Sequence, residues 1–389
     1  MITDAVRQSS FFDNQRLTLN SAINLSIASL REYGQRYRHW AIAYSGGKDS
    51  TATVAFVAWA IRTGLITPPD SMTVLYADTR MELPPLQQSA MQMLAKLSAQ
   101  GFTTQVVLPA MDDRFYVYML GRGVPPPKNR FRWCTPQLKI EPMHSALHEL
   151  RQRYGEKLLM ITGVRLGESA ARDQRIALSC SKDSGECGQG WFQVATPDSI
   201  ADTLAPLLHW RLCHVYDWLY FECDRHGYDS TGIAAIYGEN DVRTGCVGCN
   251  LASRDTALER LLRNPEWSHL SPLLELKPLY AELVMAKWRK RKSEPELRQD
   301  GEWSQNVQRL GPLTMDARRY ALGRILSIQQ RAGVDLINDA EHARILELID
   351  ANTWPRKWHG GEIDGDVLID AISLTSYGLV SQPTLGVPS

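Results

Sequence analysis

Short apolar runs alternate with helical patterns along the first 165 residues of the chain. Residues 51–62 carry apolar side chains at the spacing of a buried helical face, which predicts an α-helix. The apolar run 40–44 predicts a buried β-strand, and residues 73–77, 104–108 and 158–164 predict three further strands. Strands that alternate with helices are typical of a doubly wound α/β fold. We therefore predict an α/β domain with a mostly parallel sheet.

The pattern changes further along the chain. Residues 121–136 and 179–193 are rich in residues that favour turns, and they predict irregular loops. Beyond about residue 258, long charged segments with helical spacing predict a separate C-terminal helical lobe. The sequence thus predicts three parts, which are an N-terminal helical extension (1–37), an α/β domain with a cysteine-rich insert (38–257) and the helical lobe (258–389).

Composition narrows the class of protein. Of the 389 residues, 44% are hydrophobic and 22% are charged, which is typical of a folded globular protein. The 43 basic side chains balance the 43 acidic ones, so a strongly polybasic nucleic-acid binder is excluded, although a local basic patch is not. The apolar run 51–61 is well short of the ~20 residues that a membrane span requires, and residues 1–15 lack the apolar core of a secretory signal. We therefore expect a cytoplasmic protein without a membrane span.

A glycine-rich turn lies between the first predicted strand and the helix that follows it. Its two glycines let the backbone turn tightly and approach a ligand closely. The N–H groups of such a turn form an anion-binding site together with the N-terminus of the next helix. A lysine adds positive charge, and an aspartate suits a loop that also holds Mg²⁺ beside phosphates. We take six residues as the phosphate loop: Ser45, Gly46, Gly47, Lys48, Asp49 and Ser50.

The phosphate loop resembles the Ser-Gly-Gly-x-Asp-Ser loop of the ATP pyrophosphatase (PP-loop) superfamily, and it lacks the glycine–lysine spacing of kinase-type P-loops. The resemblance implies an adenine nucleotide α-hydrolase-like fold with ATP and Mg²⁺ as ligands. It also implies cleavage of ATP between the α- and β-phosphates, with transfer of AMP to a substrate oxygen. A nucleotide-sensing scaffold without catalysis is a competing interpretation, against which the presence of Lys48 and Asp49 speaks.

Two further segments resemble the phosphoadenylylsulfate-reductase-like branch of this superfamily. One begins at Asp78 and matches an Asp-Thr-Gly-x-Glu-x-Pro element, except that Arg80 replaces the glycine. Asp78 also ends a predicted strand, where ligands bind in open α/β sheets. The other contains Gly163 and Arg165, with Arg172 further on, and matches a Gly-x-Arg segment followed by a second arginine. The resemblance implies that these residues hold the nucleotide, and the forked guanidinium groups suit pyrophosphate or substrate phosphate.

The seven cysteines all lie between residues 134 and 249. In a chain without a predicted secretory signal, such clustering favours metal or thiolate chemistry over disulfides. Cys246 and Cys249 have the Cys-x₂-Cys spacing that lets two thiolates bind one metal or cluster. With Cys180 and Cys187 as the other two ligands, the four thiolates suit either a [4Fe–4S] cluster or Zn²⁺.

The three remaining cysteines have separate interpretations. Cys134 lies in a basic loop, where Arg132 and Lys139 are expected to favour its reactive thiolate form. It either carries sulfur during the reaction or helps to bind the cluster, and the sequence does not decide between these roles. Cys213 and Cys223 lie in an apolar segment and are expected to be small buried hydrophobic residues.

Within the superfamily, the chain resembles the ATP pyrophosphatases of bacterial DNA phosphorothioation systems (DndC or SspD type). That resemblance rests on the cysteine set, on residues 130–141 and on residues 310–319. It implies adenylation of a DNA backbone phosphate, so that sulfur replaces one of its oxygens in a system of restriction-modification type. It also implies three kinds of partner, which are DNA, a cysteine desulfurase as sulfur donor and other phosphorothioation proteins. The basic run 287–292, with Arg130, Arg132 and Trp133, predicts the DNA surface.

Two other functions would use the same loop. Phosphoadenylylsulfate reductases carry a catalytic Glu-Cys-Gly-Leu-His tail, and residues 382–389 have no cysteine, which speaks against sulfate reduction. A tRNA-thiolating enzyme would adenylate a base carbonyl and use a Cys-x₂-Cys pair with one more cysteine. The Gly-x-Arg segment and the helical lobe speak against that function. Both remain alternatives to DNA modification.

Overall fold

The chain folds into two compact units, each assembled from segments that are distant in sequence. The computed structural model describes residues 17–129, 131–167, 173–174, 185–186, 191–193, 199–237, 245–292, 297, 301–303 and 309–367. The first unit comprises Met1–Ala77, Pro85–Val107 and Met143–Asp241. The second unit comprises Asp78–Pro84, Leu108–Pro142 and Val242–Ser389.

A seven-stranded sheet forms the centre of the first unit. Its strands are β1 (His39–Tyr44), β2 (Ser71–Ala77), β3 (Thr103–Val107), β4 (Leu158–Ile161), β5 (Gly185–Glu186), β6 (Trp191–Gln193) and β7 (Ala201–Ala205). The strand order is β3-β2-β1-β4-β7-β6-β5. The first five strands in this order pair in parallel, and β6 and β5 add an antiparallel edge. The predicted α/β class with a mostly parallel sheet is confirmed, and the four predicted strands correspond to β1–β4.

The strand order reverses at β1. Strands β2 and β3 lie on one side of β1 and β4 lies on the other. Tyr44 is opposite Tyr76 of β2, and Ile42 is opposite Ile161 of β4, so these strands end at the same edge. In open parallel sheets, ligands bind at the carboxyl ends of the strands where the order reverses. The phosphate loop after β1 and the segment after β4 both leave the sheet at this point.

Helices cover the sheet, and one of them is buried along nearly its whole length. The helices of this part of the chain are α1 (Leu19–Gly34), α2 (Lys48–Arg62), α3 (Pro84–Ala99), α4 (Glu141–Tyr154), α5 (Leu212–Asp217), α6 (Cys223–Arg225) and α7 (Thr231–Tyr237), with a π-helical segment at Trp218–Glu222. In α2, every residue from Ser50 to Ala58 is buried. A helix that is buried on all sides lies in the core of its unit, so its first turn is held in a fixed position.

The second unit combines helices with a small sheet. Its helices are α8 (Thr256–Leu261), α9 (Leu276–Leu283), α10 (Met315–Ala332) and α11 (Asp339–Asp350), with 3₁₀-helices at Met111–Asp113, Pro265–Glu275 and Ala286–Trp288 and π-helical segments at Val117–Gly121 and Pro136–Ile140. Strands β8 (Arg289–Arg291), β9 (Leu310–Leu313) and β10 (Ile363–Asp364) form an antiparallel sheet, which the sequence pattern did not predict. Among the described residues, no helix is both long and apolar enough to cross a membrane.

Arg318, within the sequence segment 310–319, has a structural role. Its side chain is fully buried, and burial lowers the pKa of the guanidinium to about 10. It donates hydrogen bonds to the carbonyl oxygens of Gly121 and Thr353, at 3.2 and 2.8 Å, and lies 4.3 Å from the ring centroid of Trp354. Arg318 therefore joins three segments of the second unit.

Candidate functional site

The phosphate loop turns tightly between β1 and α2. Gly46 has a φ of 71°, and a Cβ on it would lie 3.1 Å from the Cβ of Ala90. Gly47 is the N-cap of α2. The hydroxyl groups of Ser45 and Ser50 lie 3.0 Å apart, and Ser50 donates a hydrogen bond to the Gly47 carbonyl at 3.0 Å. The loop is thus a closed turn at the start of a buried helix, as its two glycines predict.

Asp49 lies between two basic side chains of the same unit. The Asp49 Oδ1 atom is 2.7 Å from Nε of Arg165, and Oδ2 is 3.2 Å from Nζ of Lys48. The side chains of Lys48, Asp49 and Arg165 are 9%, 14% and 6% exposed. Lys48 and Arg165 thus place two cations beside the N-terminus of α2. Cations at a helix N-terminus favour a polyphosphate ligand.

Gly163 brings the segment after β4 against the phosphate loop. A Cβ at this position would lie 2.9 Å from the backbone nitrogen and Cα of Ser50 and 3.0 Å from the carbonyl carbon of Asp49. Only glycine permits this approach, since real Cβ atoms do not come so close to backbone atoms. The contact places Arg165, two residues later, within reach of Asp49.

The Gly163→Ala variant should show what this contact contributes. The added methyl group must push β4 and the start of α2 apart, so we expect weaker ATP binding and a loss of unfolding free energy of about 1–3 kcal/mol. Urea denaturation and ATP titration measure the two effects. Gly323→Ala is the control, because Gly323 lies in α10 and, among the described residues, no atom outside the neighbouring helix backbone lies within 4 Å of an added Cβ. Wild-type ATP affinity in Gly163→Ala would contradict the assigned role.

Asp78 and Arg172 are the two other predicted nucleotide ligands. Asp78 directly follows β2 and belongs to the second unit, where it is 6% exposed. Its Oδ1 atom accepts a hydrogen bond of 2.8 Å from the backbone N–H of Arg80, which has a φ of 60°. Arg80 thus adopts the left-handed conformation that glycine favours at this position of the motif. Arg172 lies outside the described residues.

Three thiols of the second unit share one electrostatic environment, and we call Cys134, Cys246 and Cys249 the thiol cluster. Burial raises the pKa of Cys246 to about 11; Lys139 opposes the rise, whereas Glu82 and the other two thiols add to it. Burial also raises the pKa of Cys134, and Lys139 offsets this only in part. The expectation that neighbouring cations favour the Cys134 thiolate is therefore wrong, because desolvation outweighs them.

Alkylation tests the burial of Cys246. With a pKa of about 11, roughly one Cys246 thiol in a thousand is ionised at pH 8. In protein stripped of metal by a chelator, we expect iodoacetamide to modify Cys246 roughly 100-fold more slowly than in urea-unfolded protein. The rate should rise as the pH approaches the raised pKa. Tandem mass spectrometry of the tryptic peptide 244–254 separates modification of Cys246 from that of Cys249. Equal rates in the folded and unfolded proteins would contradict the assignment.

The Cys-x₂-Cys turn is held from several sides. The N–H of Val247 donates to the Met81 carbonyl at 2.7 Å, and that of Gly248 donates to Asp255 at 3.2 Å. Gly248 has a φ of 67°, and a Cβ on it would lie 2.8 Å from the side chain of Leu276. The ammonium group of Lys277 donates to the Cys249 carbonyl at 2.7 Å. The backbone of the turn is therefore fixed before any metal binds.

Of the four cysteines predicted to bind a metal or cluster, only Cys246 and Cys249 lie among the described residues. Cys180 and Cys187 lie outside them. Within the described part of the chain, no three His, Cys, Asp or Glu side chains are arranged as a metal site. The soft thiol donors of the thiol cluster nevertheless suit iron or zinc. Of the two other cysteines, Cys223 is buried as predicted, whereas Cys213 is exposed.

Sequence comparison identifies the family. A model of the phosphoadenosine phosphosulfate reductase domain matches residues 39–250, more than half of the chain. The chain belongs to the phosphoadenosine phosphosulfate reductase domain family. The matched range of this reductase domain contains the phosphate loop, Gly163, Arg165 and all three members of the thiol cluster. No relative is found among curated protein sequences.

Several solved structures resemble the reductase-domain chain weakly. Phosphoadenylyl-sulfate reductase from Candida auris, in a phosphate complex, is 12% identical with a TM-score of 0.35, covering 59% of this chain and 96% of that chain. The U34-tRNA thiolase NcsA from Methanococcus maripaludis, with its [4Fe-4S] cluster, is 13% identical with a TM-score of 0.34, covering 68% and 79%. NMN synthetase from Francisella tularensis is 13% identical with a TM-score of 0.33, covering 63% and 92%. Likenesses at this level carry no functional argument.

The basic run 287–292 is engaged within the second unit. It forms a 3₁₀-helical turn followed by β8 rather than a helix face. Trp288 stacks on Tyr320 with a centroid distance of 5.0 Å. Three of its lysines pair with carboxylates at N–O distances of 2.9–3.2 Å: Lys287 with Glu282, Lys290 with Asp364 and Lys292 with Glu362. Much of the charge that predicted a DNA surface is therefore compensated by neighbouring carboxylates.

Arg130, Arg132 and Trp133 form the other part of the predicted DNA surface, and the described side chains among them contact other residues of the protein. Trp133 is 8% exposed and stacks on Phe115 at a centroid distance of 5.3 Å. Arg132 donates a hydrogen bond to Asn129 at 3.0 Å, and Arg130 lies outside the described residues. A buried indole is not available to stack on a nucleic-acid base.

The sequence analysis missed Tyr237 of the reductase domain. This residue ends α7 and is 3% exposed, and its ring lies against Lys48 of the phosphate loop. In the sequence it ends an apolar helical run and has no spacing or motif that relates it to residue 48. Only the packing of α7 brings the two residues together.

Proposed function

We propose that this protein uses ATP to adenylate a backbone phosphate of DNA, releasing pyrophosphate, so that sulfur can replace a non-bridging oxygen of that phosphate. The observation that carries the adenylation step is the arrangement of Lys48, Asp49 and Arg165 at the closed phosphate loop. The DNA substrate rests on the sequence resemblance to phosphorothioation proteins at residues 130–141 and 310–319.

The phosphate loop has the groups that this chemistry needs. An oxygen of the DNA phosphate attacks the α-phosphorus of ATP, and the bond from that phosphorus to the β-phosphate oxygen breaks. The helix N-terminus and the cations Lys48 and Arg165 would stabilise the negative charge that collects on the leaving pyrophosphate. Asp49 would hold Mg²⁺, which neutralises phosphate charge when bound. Asp78 and Arg172 would help to place the nucleotide and the substrate phosphate.

The residues of the thiol cluster would take part in the transfer of sulfur. The outer sulfur of a cysteine persulfide, which a cysteine desulfurase supplies, attacks the activated phosphorus and forms the phosphorus–sulfur bond while AMP leaves. A second thiol then attacks the remaining sulfur–sulfur bond, which frees the phosphorothioate and leaves a disulfide. An added thiol reductant returns that disulfide to thiols. Cys134 either carries that sulfur or helps to bind a metal. A [4Fe–4S] cluster, or Zn²⁺ instead, would be held by Cys246 and Cys249 with Cys180 and Cys187, and four thiolate ligands would make it a closed site that ties these segments together.

A second candidate function is thiolation of tRNA. One observation favours it: Cys134 is near enough to Cys246 to influence its pKa, as Cys249 does, and a Cys-x₂-Cys pair with one further cysteine is the set expected for that reaction. The same phosphate loop would then adenylate a base carbonyl instead of a DNA phosphate. Sulfate reduction is a third substrate class that the family allows.

One experiment separates these functions. The protein is incubated anaerobically with ATP, Mg²⁺, a cysteine desulfurase and labelled cysteine, together with either DNA, tRNA or phosphoadenylyl sulfate. We expect DNA alone to stimulate pyrophosphate release and to acquire labelled sulfur that survives nuclease digestion as a phosphorothioate dinucleotide. Stimulation by tRNA alone, or sulfite production from phosphoadenylyl sulfate, would overturn the proposal in favour of the corresponding alternative.

A further inference from the structure

Tyr237 makes two contacts with the phosphate loop within the first unit. The Nζ atom of Lys48 lies 5.1 Å from the centroid of the Tyr237 ring. The phenol oxygen lies 3.3 Å from the position that a Cβ on Gly47 would occupy. One aromatic side chain therefore lies beside both the N-cap of α2 and the cation next to it.

The position of Tyr237 is set by the packing of α7 and not by the loop. A Cβ on Gly232 would lie 3.2 Å from the Cβ of Ser89, so α7 packs closely against α3. Ile233 and Ile236 are each 1% exposed. The hydroxyl of Ser230 donates a hydrogen bond to the carbonyl oxygen of Leu219 in the π-helical segment. These contacts hold α7 in position. The Tyr237 ring therefore has a fixed position beside Lys48.

The ammonium group of Lys48 is held from two directions. The carboxylate of Asp49 lies 3.2 Å from it, and the face of the Tyr237 ring lies on another side. An ammonium group is attracted to the negative face of an aromatic ring, and the attraction increases where water is excluded. A flexible lysine held in this way loses less conformational entropy when it binds a phosphate.

We propose that Tyr237 is a positioning residue, which holds the Lys48 ammonium where the phosphates of a nucleotide bind. The inference rests on the proposed use of the phosphate loop for ATP, but it does not depend on which substrate receives AMP. It assigns the main effect to the aromatic ring face, with a smaller contribution from the hydroxyl beside Gly47.

A double-mutant cycle on the full-length protein tests the proposal. The dissociation constant of MgATP is measured by calorimetry for wild type, Tyr237→Leu, Lys48→Met and the double variant. We expect Tyr237→Leu to weaken binding by roughly 3- to 30-fold in the presence of Lys48. In the Lys48→Met background the same change should have less than a twofold effect. Tyr237→Phe keeps the ring and should recover most of the lost affinity.

The matched control is Tyr228→Leu in the same unit. Tyr228 is also fully buried, and its hydroxyl bonds to Gln100 at 2.9 Å. Tyr228→Leu should lower thermal stability and leave ATP affinity unchanged. The proposal is overturned if Tyr237→Leu has the same effect with and without Lys48, if it has no effect in wild type, or if wild-type protein binds neither ATP nor pyrophosphate. Should ATP bind as expected without DNA-dependent turnover, the proposed function fails while the role of Tyr237 stands.

Discussion

Replacing Asp49 with alanine is expected to reduce pyrophosphate release from MgATP by at least about 100-fold. The variant loses the carboxylate proposed to hold Mg²⁺ and the partner that orients both Lys48 and Arg165. Because the side chains of those cations are 9% and 6% exposed, we also expect a loss of about 3 kcal/mol in unfolding free energy. Steady-state pyrophosphate assays and urea denaturation measure the two effects.

Two further variants separate catalysis from folding. Asp49→Asn keeps a hydrogen-bond acceptor for Arg165 and should recover much of the stability, but not the turnover. Its affinity for ATP without Mg²⁺ should not fall, because the local positive charge increases. Asp70→Asn is the control, since Asp70 is a half-exposed carboxylate that pairs with Arg38 at 2.6 Å in the same unit. Undiminished turnover in Asp49→Asn would refute the role assigned to this carboxylate.

The second large effect is expected at the Cys-x₂-Cys turn. In anaerobically purified protein, Cys246→Ser and Cys249→Ser should each remove nearly all bound iron, together with the absorbance near ~400 nm that a [4Fe–4S] cluster gives. A hydroxyl group is a far weaker ligand than a thiolate for iron or zinc. Metal analysis and visible spectroscopy measure the loss, and thermal unfolding shows whether the fold persists.

Two other cysteine variants complete this test. Cys213→Ser should keep the full metal content, because Cys213 is exposed and is not one of the four proposed ligands. Cys134→Ser distinguishes the two roles left open for that residue: loss of metal would make it a ligand, whereas retained metal with no sulfur transfer would make it a sulfur carrier. Wild-type protein with zinc and no iron would replace the cluster by a zinc site, and protein with neither metal would contradict a metal site altogether.

The sequence predicted the parts of the fold in which local pattern and packing agree. Strands β1, β2 and β4 are mostly apolar and buried, because both faces of the parallel sheet are covered there, whereas the edge strand β3 is more polar and more exposed. The glycines of the phosphate loop mark a turn that favours glycine. Strands β5 and β6 are too short to show any alternation. The residues of β8 are basic, and their strand conformation depends on pairing with β9 and β10.

The candidate site was predictable only where its residues share a motif. Lys48 and Asp49 belong to one motif, and Arg165 to another segment of the same family. Tyr237 approaches Lys48 through helix packing, and Cys134 joins the Cys-x₂-Cys pair through the fold of the second unit. The pKa of Cys134 was predicted in the wrong direction because the sequence shows neighbouring charges but not how much water the fold removes.

The double pairing of Asp49 has a consequence for the order in which ligands arrive. The two cations reduce the negative potential at the Asp49 carboxylate. Its affinity for a divalent cation should therefore be low when no nucleotide is bound. Phosphates that engage Lys48 and Arg165 compete with Asp49 for both partners and release its oxygens. Metal recruitment would then follow the nucleotide, and the protein would be insensitive to free magnesium until its substrate has entered.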